Sequence, residues 1–565
     1  MTRNRTYLSI FFISIFFACG KQSEQDRPIN FSSFAPSIRI ADTDVNTTLP
    51  DDETLPPEID TIYAACGNHL LWFNTKGEAI SYAFKLLEAC RKAAKESWAF
   101  PTIFEKLIKG GGKLLKQRTT KQITEENLWN LDTKLSRLAY ALVRFEALGQ
   151  LNPYQWDIKR DTPDISAWLI RQFKQQTFES FSSLNPDILG FATLQQALNY
   201  YERIGKRVDF KPIYIDAKIE PGTKDSKIRK IRYRLSVLLQ DGAKLLLTPE
   251  PALYDEHMVD AIKYFQSARG LKSDGTIGFR TMRFINLPPD SVKLQICKNL
   301  ERLKWMPSTF PEGDFIQVNL PDFKVRVMHG IQEIMRMNCI VGRYKNQTPV
   351  FSDSMEYLVM SPFWNVPKSI AIKEIWAHVT NDPDYLENHY MQVFVDGENV
   401  SGDTVDWSTF KKKDFEYRIK IRQKPGAYNS LGRIKFIFPN EHWVYLHDTN
   451  AKYLFGKEER SLSHGCIRIE KPIDLAMYLL RDNRDWESDT AKLLEAMDTT
   501  VPQIVHLKQK VPIFLYYLTA WGENGLLQLR RDPYLLDIKM DSLLNDLKVL
   551  NKSDDLLVAS EEMNR

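Results

Sequence analysis

The stretch "YLHDTNAKYLFGKEERSLSHGCIRIE", residues 445–470, places two histidines, His447 and His464, close to Cys466, with Ser463, Gly465 and Arg468 around the thiol. A cysteine attacks carbonyl carbon as its thiolate, and a neighbouring imidazole can take its proton. The tetrahedral oxyanion that follows needs donors, which main-chain N–H groups around Gly465 and Cys466 would supply, glycine allowing close approach because it lacks a Cβ. A guanidinium two residues beyond the thiol, Arg468, shares its face in a straight strand and suits a substrate carboxylate. The same side chains allow a second reading, zinc held by His447, His464 and Cys466 with Asp448, although no paired cysteine accompanies them.

Such a site has to be positioned by strands. His447 closes the run "HWVYLHD" and Cys466 opens "CIRI", nineteen residues on, so two strand ends can be neighbours across a long connection. The runs "DFIQVNL", "KVRVMHG", "IMRMNCIVG" and "RIKFIFP" upstream also alternate with period two. Between Pro367 and Gly432 lies a less regular insertion, a candidate lid whose Trp376, Tyr385, Tyr390 and Phe394 could cover a ligand or pack onto the domain beneath. Beyond Cys466, "KPIDLAMYLLRD" reads as a helix and "VPIFLYYLTAW" as a further strand.

The chain of 565 residues is long enough for several domains, and its formal net charge is only +4, without a basic stripe. Nucleic acid is therefore not expected as a partner. Arg3 and Arg5 precede a short apolar run, Leu8 to Ala18, and then Cys19. This is the pattern of an export signal with a lipid-modified cysteine, so residues 1–18 are expected to be removed and 19–57 to act as a tether to a membrane. Residues 58–225 carry helical periodicity, as in "NLWNLDTKLSRLAYALVRFEAL", and "KGGGK" at 109–113 lacks the spacing of a phosphate loop. Cys66 and Cys90 could bridge, whereas Cys297 and Cys339 lie in apolar surroundings suited to buried thiols. Residues 226–290 contain a helix with Val259, Ile262 and Phe265 on one face, stopped at Gly270 and followed by "SDGTIG". Gly270, Leu271, Asp274, Gly275, Gly278 and Thr281 resemble the turn pattern of the small three-helix peptidoglycan-binding domain.

"HDT" followed by "SHGCIRI" resembles the signature of the L,D-transpeptidase (YkuD-like) catalytic domain, and the segments around Val341–Arg343, Thr348–Ser352 and Trp364–Ala371 agree with it. The resemblance implies an α+β multidomain chain. It has a helical scaffold (58–225), a peptidoglycan-binding-like unit (226–290), a β-rich catalytic domain (313–507) with a capping insertion (about 367–432), and a C-terminal segment (508–565). It further implies Cys466 as nucleophile, His447 as general base and acid, Ser463 and His464 as pocket-shaping groups, Gly465 and Cys466 N–H groups as oxyanion donors, and Arg468 as a carboxylate-binding or loop-anchoring group. No cofactor or metal is required. The implied reaction is formation of 3–3 cross-links between peptidoglycan stem peptides in the periplasm, by an enzyme anchored through Cys19 and open to acylation by carbapenems. A hydrolase using water as acceptor, and a wall-binding lipoprotein without activity, are the rival readings.

Overall fold

The computed structural model describes residues 57–550, except 90–124 and several shorter stretches. The expected signal, Cys19, the tether up to residue 56, "KGGGK" and Cys90 lie outside the described residues. Cys66 is a free thiol, and Cys297 and Cys339 are buried, as their apolar context implies. No described helix is long and apolar enough to cross a membrane.

Three helices, α1 (Pro57–Ala65), α2 (Glu125–Leu148) and α3 (Ile165–Gln175), enclose a core of their own around Ile62, Tyr63, Trp72, Leu142 and Leu169. Apolar residues recurring every three or four positions along α2 give it the stripe that this core needs. A carboxylate stands at the centre. The fully buried Asp132 accepts from the Tyr63 hydroxyl at 2.6 Å and from the main-chain N–H groups of Leu71 and Trp72 at 3.0 and 2.8 Å. Ser136 Oγ completes the network, 2.8 Å from the Tyr63 hydroxyl and accepting from Trp72 Nε1. Burial pushes the Asp132 carboxyl up to about 7 despite these donors.

A further helix, α4 (Phe191–Gly205), leads to three more: α5 (Ser226–Leu238), α6 (Glu256–Ser267) and α7 (Phe279–Ile285). Asp255 caps α6 by accepting from the Met258 N–H, and it also pairs with the buried Arg232 at 2.9 Å. The turn after α6 is held by Gln266, whose amide group donates to Asp274 Oδ1 and the Thr276 carbonyl and whose oxygen accepts from the Gly275 N–H. Ile262 and Phe265 are fully buried and Val259 packs beside them, so the face expected from spacing is the packed one. That core continues without a break into the sheet that follows α8 (Pro289–Leu303).

Among the described residues the sheet has ten strands. In chain order they are β1 (Trp156–Asp157), β2 (Asp314–Asn319), β3 (Lys324–His329), β4 (Gln332–Gly342), β5 (Val350–Met360), β10 (Ile434–Ile437), β11 (Leu446–His447), β12 (Ser461–Ser463), β13 (Ile467–Ile469) and β14 (Gln503–Tyr516). The strand order is β1-β5-β10-β11-β13-β4-β3-β2-β14, with β12 on β4 and β14 also pairing β5. The residue 507/508 boundary expected from the sequence falls inside β14, which pairs with β5 on both sides of it and with β2 beyond it. "HWVYLHD" forms a strand only at its end. Asn440 accepts from the N–H groups of His442 and Val444 and donates to the Val444 carbonyl, and Trp443 takes φ 57°, which breaks any ladder there.

The insertion is more ordered than its composition implies. Strands β6 (Trp364–Asn365), β7 (Met391–Val395), β8 (Glu398–Val400) and β9 (Ile419–Gln423) make a separate antiparallel sheet in the order β6-β9-β7-β8. They cover a small core of Ile375, Leu386, Val393, Trp407, Phe415 and Ile421. Beyond the main sheet, a hairpin of β15 (Ala520–Glu523) and β16 (Leu526–Leu529) closes the described fold with a final helix.

Candidate active site

Register brings the predicted residues together. Strands β11 and β13 pair in parallel, Leu446 opposite Ile467 and His447 opposite Arg468. Leu446 and Ile467 are fully buried in the main core, so alternation turns Tyr445, His447, Cys466 and Arg468 to the opposite face. On the other side of β11, Lys435 of β10 stands opposite His447. The lateral neighbour of the nucleophile candidate is thus Tyr445, and His447 lies one pleat further along the same face.

The turn that presents Cys466 is built by Ser463. Its hydroxyl donates to the Cys466 carbonyl at 2.6 Å and accepts from the Gly465 N–H at 3.1 Å, while Thr348 Oγ1 holds the Gly465 carbonyl at 2.7 Å. Gly465 has φ 127°, a conformation that an L side chain rarely adopts. One expectation is corrected here. The Gly465 N–H, expected as an oxyanion donor, is already engaged by Ser463 Oγ.

His447 is buried, at 4% exposure, and its Nδ1 lies 2.5 Å from the Asp448 carbonyl. That contact assigns the proton to Nδ1 and leaves Nε2 as the acceptor. Burial, reinforced by the Arg468 charge, pulls the imidazole down to about 3, so it is neutral at rest. Burial also raises the Cys466 thiol, against hydrogen bonds from Tyr445 and the charges of Lys435 and Arg468 that favour the thiolate. Its Sγ rests 3.8 Å from the Trp443 carbonyl. The resting pair is therefore thiol and neutral imidazole. Asp448 follows His447 inward; its Oδ2 accepts from the Arg433 N–H at 3.0 Å, and a Cβ on Gly432 would stand 2.3 Å from that oxygen.

His464 turns elsewhere. Its Nε2 lies 2.6 Å from Glu374 Oε1 and also contacts Arg343. Glu374 belongs to the insertion, and the His464 and Arg343 partners hold its carboxyl below the usual range against partial burial. This bridge joins the insertion to the cysteine turn. Beside it lies a cavity of about 290 Å³ lined by Trp364, Glu374, Tyr385, Tyr390, Tyr428 and Asn450. Tyr390 stacks on Tyr428 at 4.8 Å, and Asn450 donates to the Tyr428 carbonyl at 3.0 Å. Trp376 instead packs edge-on against Phe415 inside the insertion, and Phe394 lies under Arg422.

Sequence reasoning missed Tyr445, Lys435 and Glu374. Tyr445 was within reach, two residues before His447 on the same face. Glu374 carried no signal, being 90 residues from His464 in an element with no regular period.

Two family models match the chain: the L,D-transpeptidase catalytic domain (YkuD) over residues 313–501 and the Scaffold domain over residues 57–198. A protein of Haemophilus influenzae named "Putative L,D-transpeptidase" is 33% identical over 236 residues, 42% of this chain and 46% of that protein. The chain thus spans about half the length of that curated relative. Among solved structures, an L,D-transpeptidase of Xylanimonas cellulosilytica (residues 123–326) is 13% identical, with coverage of 54% of this chain and 99% of that one, at a TM-score of 0.17. A fused Zn-dependent amidase/peptidase/peptidoglycan-binding domain-containing protein of Clostridium acetobutylicum is 14% identical, with coverage of 53% and 99%, at 0.15. At those scores neither structure bears on the fold or the site. Residues 313–501, which hold His447 on β11 and Cys466 immediately before the adjacent β13, belong to the YkuD family of L,D-transpeptidase catalytic domains.

Proposed function

We propose that the chain forms 3–3 cross-links in peptidoglycan through a thioester on Cys466. The observation that carries this reading is the parallel register of β11 and β13, which sets Cys466, His447 and Arg468 on one face outside the core. A stem tetrapeptide enters with its terminal carboxylate toward Arg468. That carboxylate offsets the guanidinium charge that adds to burial in holding His447 down, so the imidazole gains basicity when that charge is met. Nε2 then takes the thiol proton, and Sγ attacks the carbonyl of the third residue. The oxyanion is met by the Cys466 N–H, His447 protonates the departing amine, and D-Ala leaves with the thioester in place. The amine of a third-position diamino acid on a second stem attacks the thioester, gives its proton to His447, and releases the thiol.

The sheet of the insertion is read as a cap, held over the site by Glu374, with the cavity beside it receiving part of a stem. The unit formed by α5, α6 and α7 is read as peptidoglycan-binding. Export to the periplasm, lipid modification of Cys19 and acylation by carbapenems belong to the same reading.

Cys466→Ala tests it. With two purified tetrapeptide stems, one free to accept, the parent protein is expected to give a 3–3 dimer and free D-Ala, and the variant neither. Dimer formed by the variant would end the assignment. Release of D-Ala without dimer from the parent protein would make water the acceptor and the enzyme an L,D-carboxypeptidase.

A further inference from the structure

A second cleft, of about 550 Å³, opens between the turn after α6, strands β3 and β4, the loop 456–460 and the β15–β16 hairpin. Nine of its lining residues are Lys or Arg against four Asp or Glu, a net +5 where the whole chain carries +4. The acidic residues are taken by cations already there. Asp322 pairs with Arg530 at 2.7 Å, Glu523 with Arg326 and Arg336, Glu459 with Arg531 at 3.5 Å, and Glu458 with Arg280 and the Lys272 N–H.

Two buried guanidinium groups have no such partner. Arg460, 7% exposed, donates only to the carbonyls of Cys339, Lys457 and Phe323 and to Asn338 Oδ1. Arg269, 6% exposed, reaches the Leu527 carbonyl at 3.3 Å and lies over the Phe265 ring, and its buried Nε has no hydrogen-bond partner. Buried charge without a counter-ion is costly, and low-dielectric walls focus its field into the open space beside it. At the mouth, Lys272 and Lys457 are exposed and form no ion pair among the described residues. Tyr264, 44% exposed, offers a flat ring to the same space.

We propose that this cleft binds an anionic glycan strand, with saccharide rings on Tyr264 and carboxylates drawn to Lys272, Lys457 and the field of Arg269 and Arg460. The inference rests on the reading above, because the polymer that Cys466 would process carries carboxylates on its stems and, where a stem is absent, on the lactyl groups of its glycan. The loop 456–460 that lines the cleft belongs to the connection between His447 and Cys466.

The experiment uses peptide-free glycan strands that carry free lactyl carboxylates, and therefore no acyl donor, titrated into the full chain by calorimetry. Chitin hexasaccharide and a DNA oligonucleotide of equal charge serve as controls. The expected result is tightest binding for the charged glycan, weakening with salt. The double variant Lys272→Glu, Lys457→Glu should lose affinity at least about tenfold, while carbapenem acylation of Cys466 keeps its rate. Unchanged affinity in the double variant, or equal binding of either control, overturns the proposal. If glycan fails to bind while Cys466 is acylated normally, the cleft assignment falls and the catalytic reading stands. Glycan bound to a protein whose Cys466 resists acylation supports the cleft and removes the catalytic reading.

Discussion

Asp132 and His447 are both buried ionisable groups, one at the centre of the scaffold core and one on the face of the catalytic sheet. Around Asp132 the polar atoms are answered: Tyr63, Leu71 and Trp72 all donate to it, and Ser136 ties two of those partners together. Around His447 they are not. Asp448 Oδ1 and Arg468 Nε are buried without hydrogen bonds, and the thiol, beside Tyr445, lies 3.8 Å from the Trp443 carbonyl. A closed network fixes one structure, whereas open valences are places that a substrate can fill. Desolvation moves the two groups in opposite senses, the acid up to about 7 and the imidazole down to about 3, each toward its neutral form.

The largest test of this contrast removes the imidazole. His447→Ala is expected to lower the rate of Cys466 acylation roughly 10²–10⁴-fold with little change in melting temperature. Stopped-flow acylation beside a thermal scan reads both; a large loss of stability with an unaltered rate would give His447 the structural role instead. Asp132→Ala should do the reverse. The Tyr63 hydroxyl and two main-chain N–H groups would lose their acceptor, at a cost of about 3 kcal/mol or more to the scaffold, while Cys466 acylation is retained. Chemical denaturation followed by Trp fluorescence measures it.

The opposed shifts give a pH test. The folded His447 lies below its ordinary 6.5, so its contribution to stability is present above that pH and is lost as pH falls toward about 3. The folded Asp132 lies above its ordinary 3.8, so its contribution is present below that pH and is lost as pH rises through about 7. Calorimetry at pH 4.5 and 7.5 should move the scaffold transition down on raising pH and the catalytic transition down on lowering it, and Asp132→Asn should remove the first effect alone. Movement of both transitions in the same direction would break the comparison. The smallest expected effect is that of Glu374→Gln. Its bridge to His464 and Arg343 is partly exposed, so the loss in kcat/KM should stay within about fivefold, with faster hydrogen exchange in residues 364–423.

What could be read from the sequence follows the same division. Strand β3 announced itself by alternation because one face is buried and the other is less so. The His447–Cys466 pair was legible because parallel strands can bring distant segments side by side. The insertion's sheet was not, since its strands are two to five residues long and are interrupted by turns, too short for a period to show. The strand expected over 442–448 failed on Asn440, whose side chain competes for the backbone. The engagement of the Gly465 N–H by Ser463 was equally hidden, because a turn's internal bonds depend on a rotamer rather than on spacing.

The unbroken core that joins Ile262 and Phe265 of α6 to the fully buried residues of β2, β5 and β14 bears on how the molecule comes apart. Helices α5 to α7 and the catalytic sheet share one cooperative unit, whereas α1 to α3 enclose another. Cleavage of the chain just before β2 would strip apolar surface from both pieces at once and leave neither a finished interior. Partial melting of the scaffold, by contrast, would leave the thiol on an intact sheet, so reactive Cys466 should outlast the first step of unfolding.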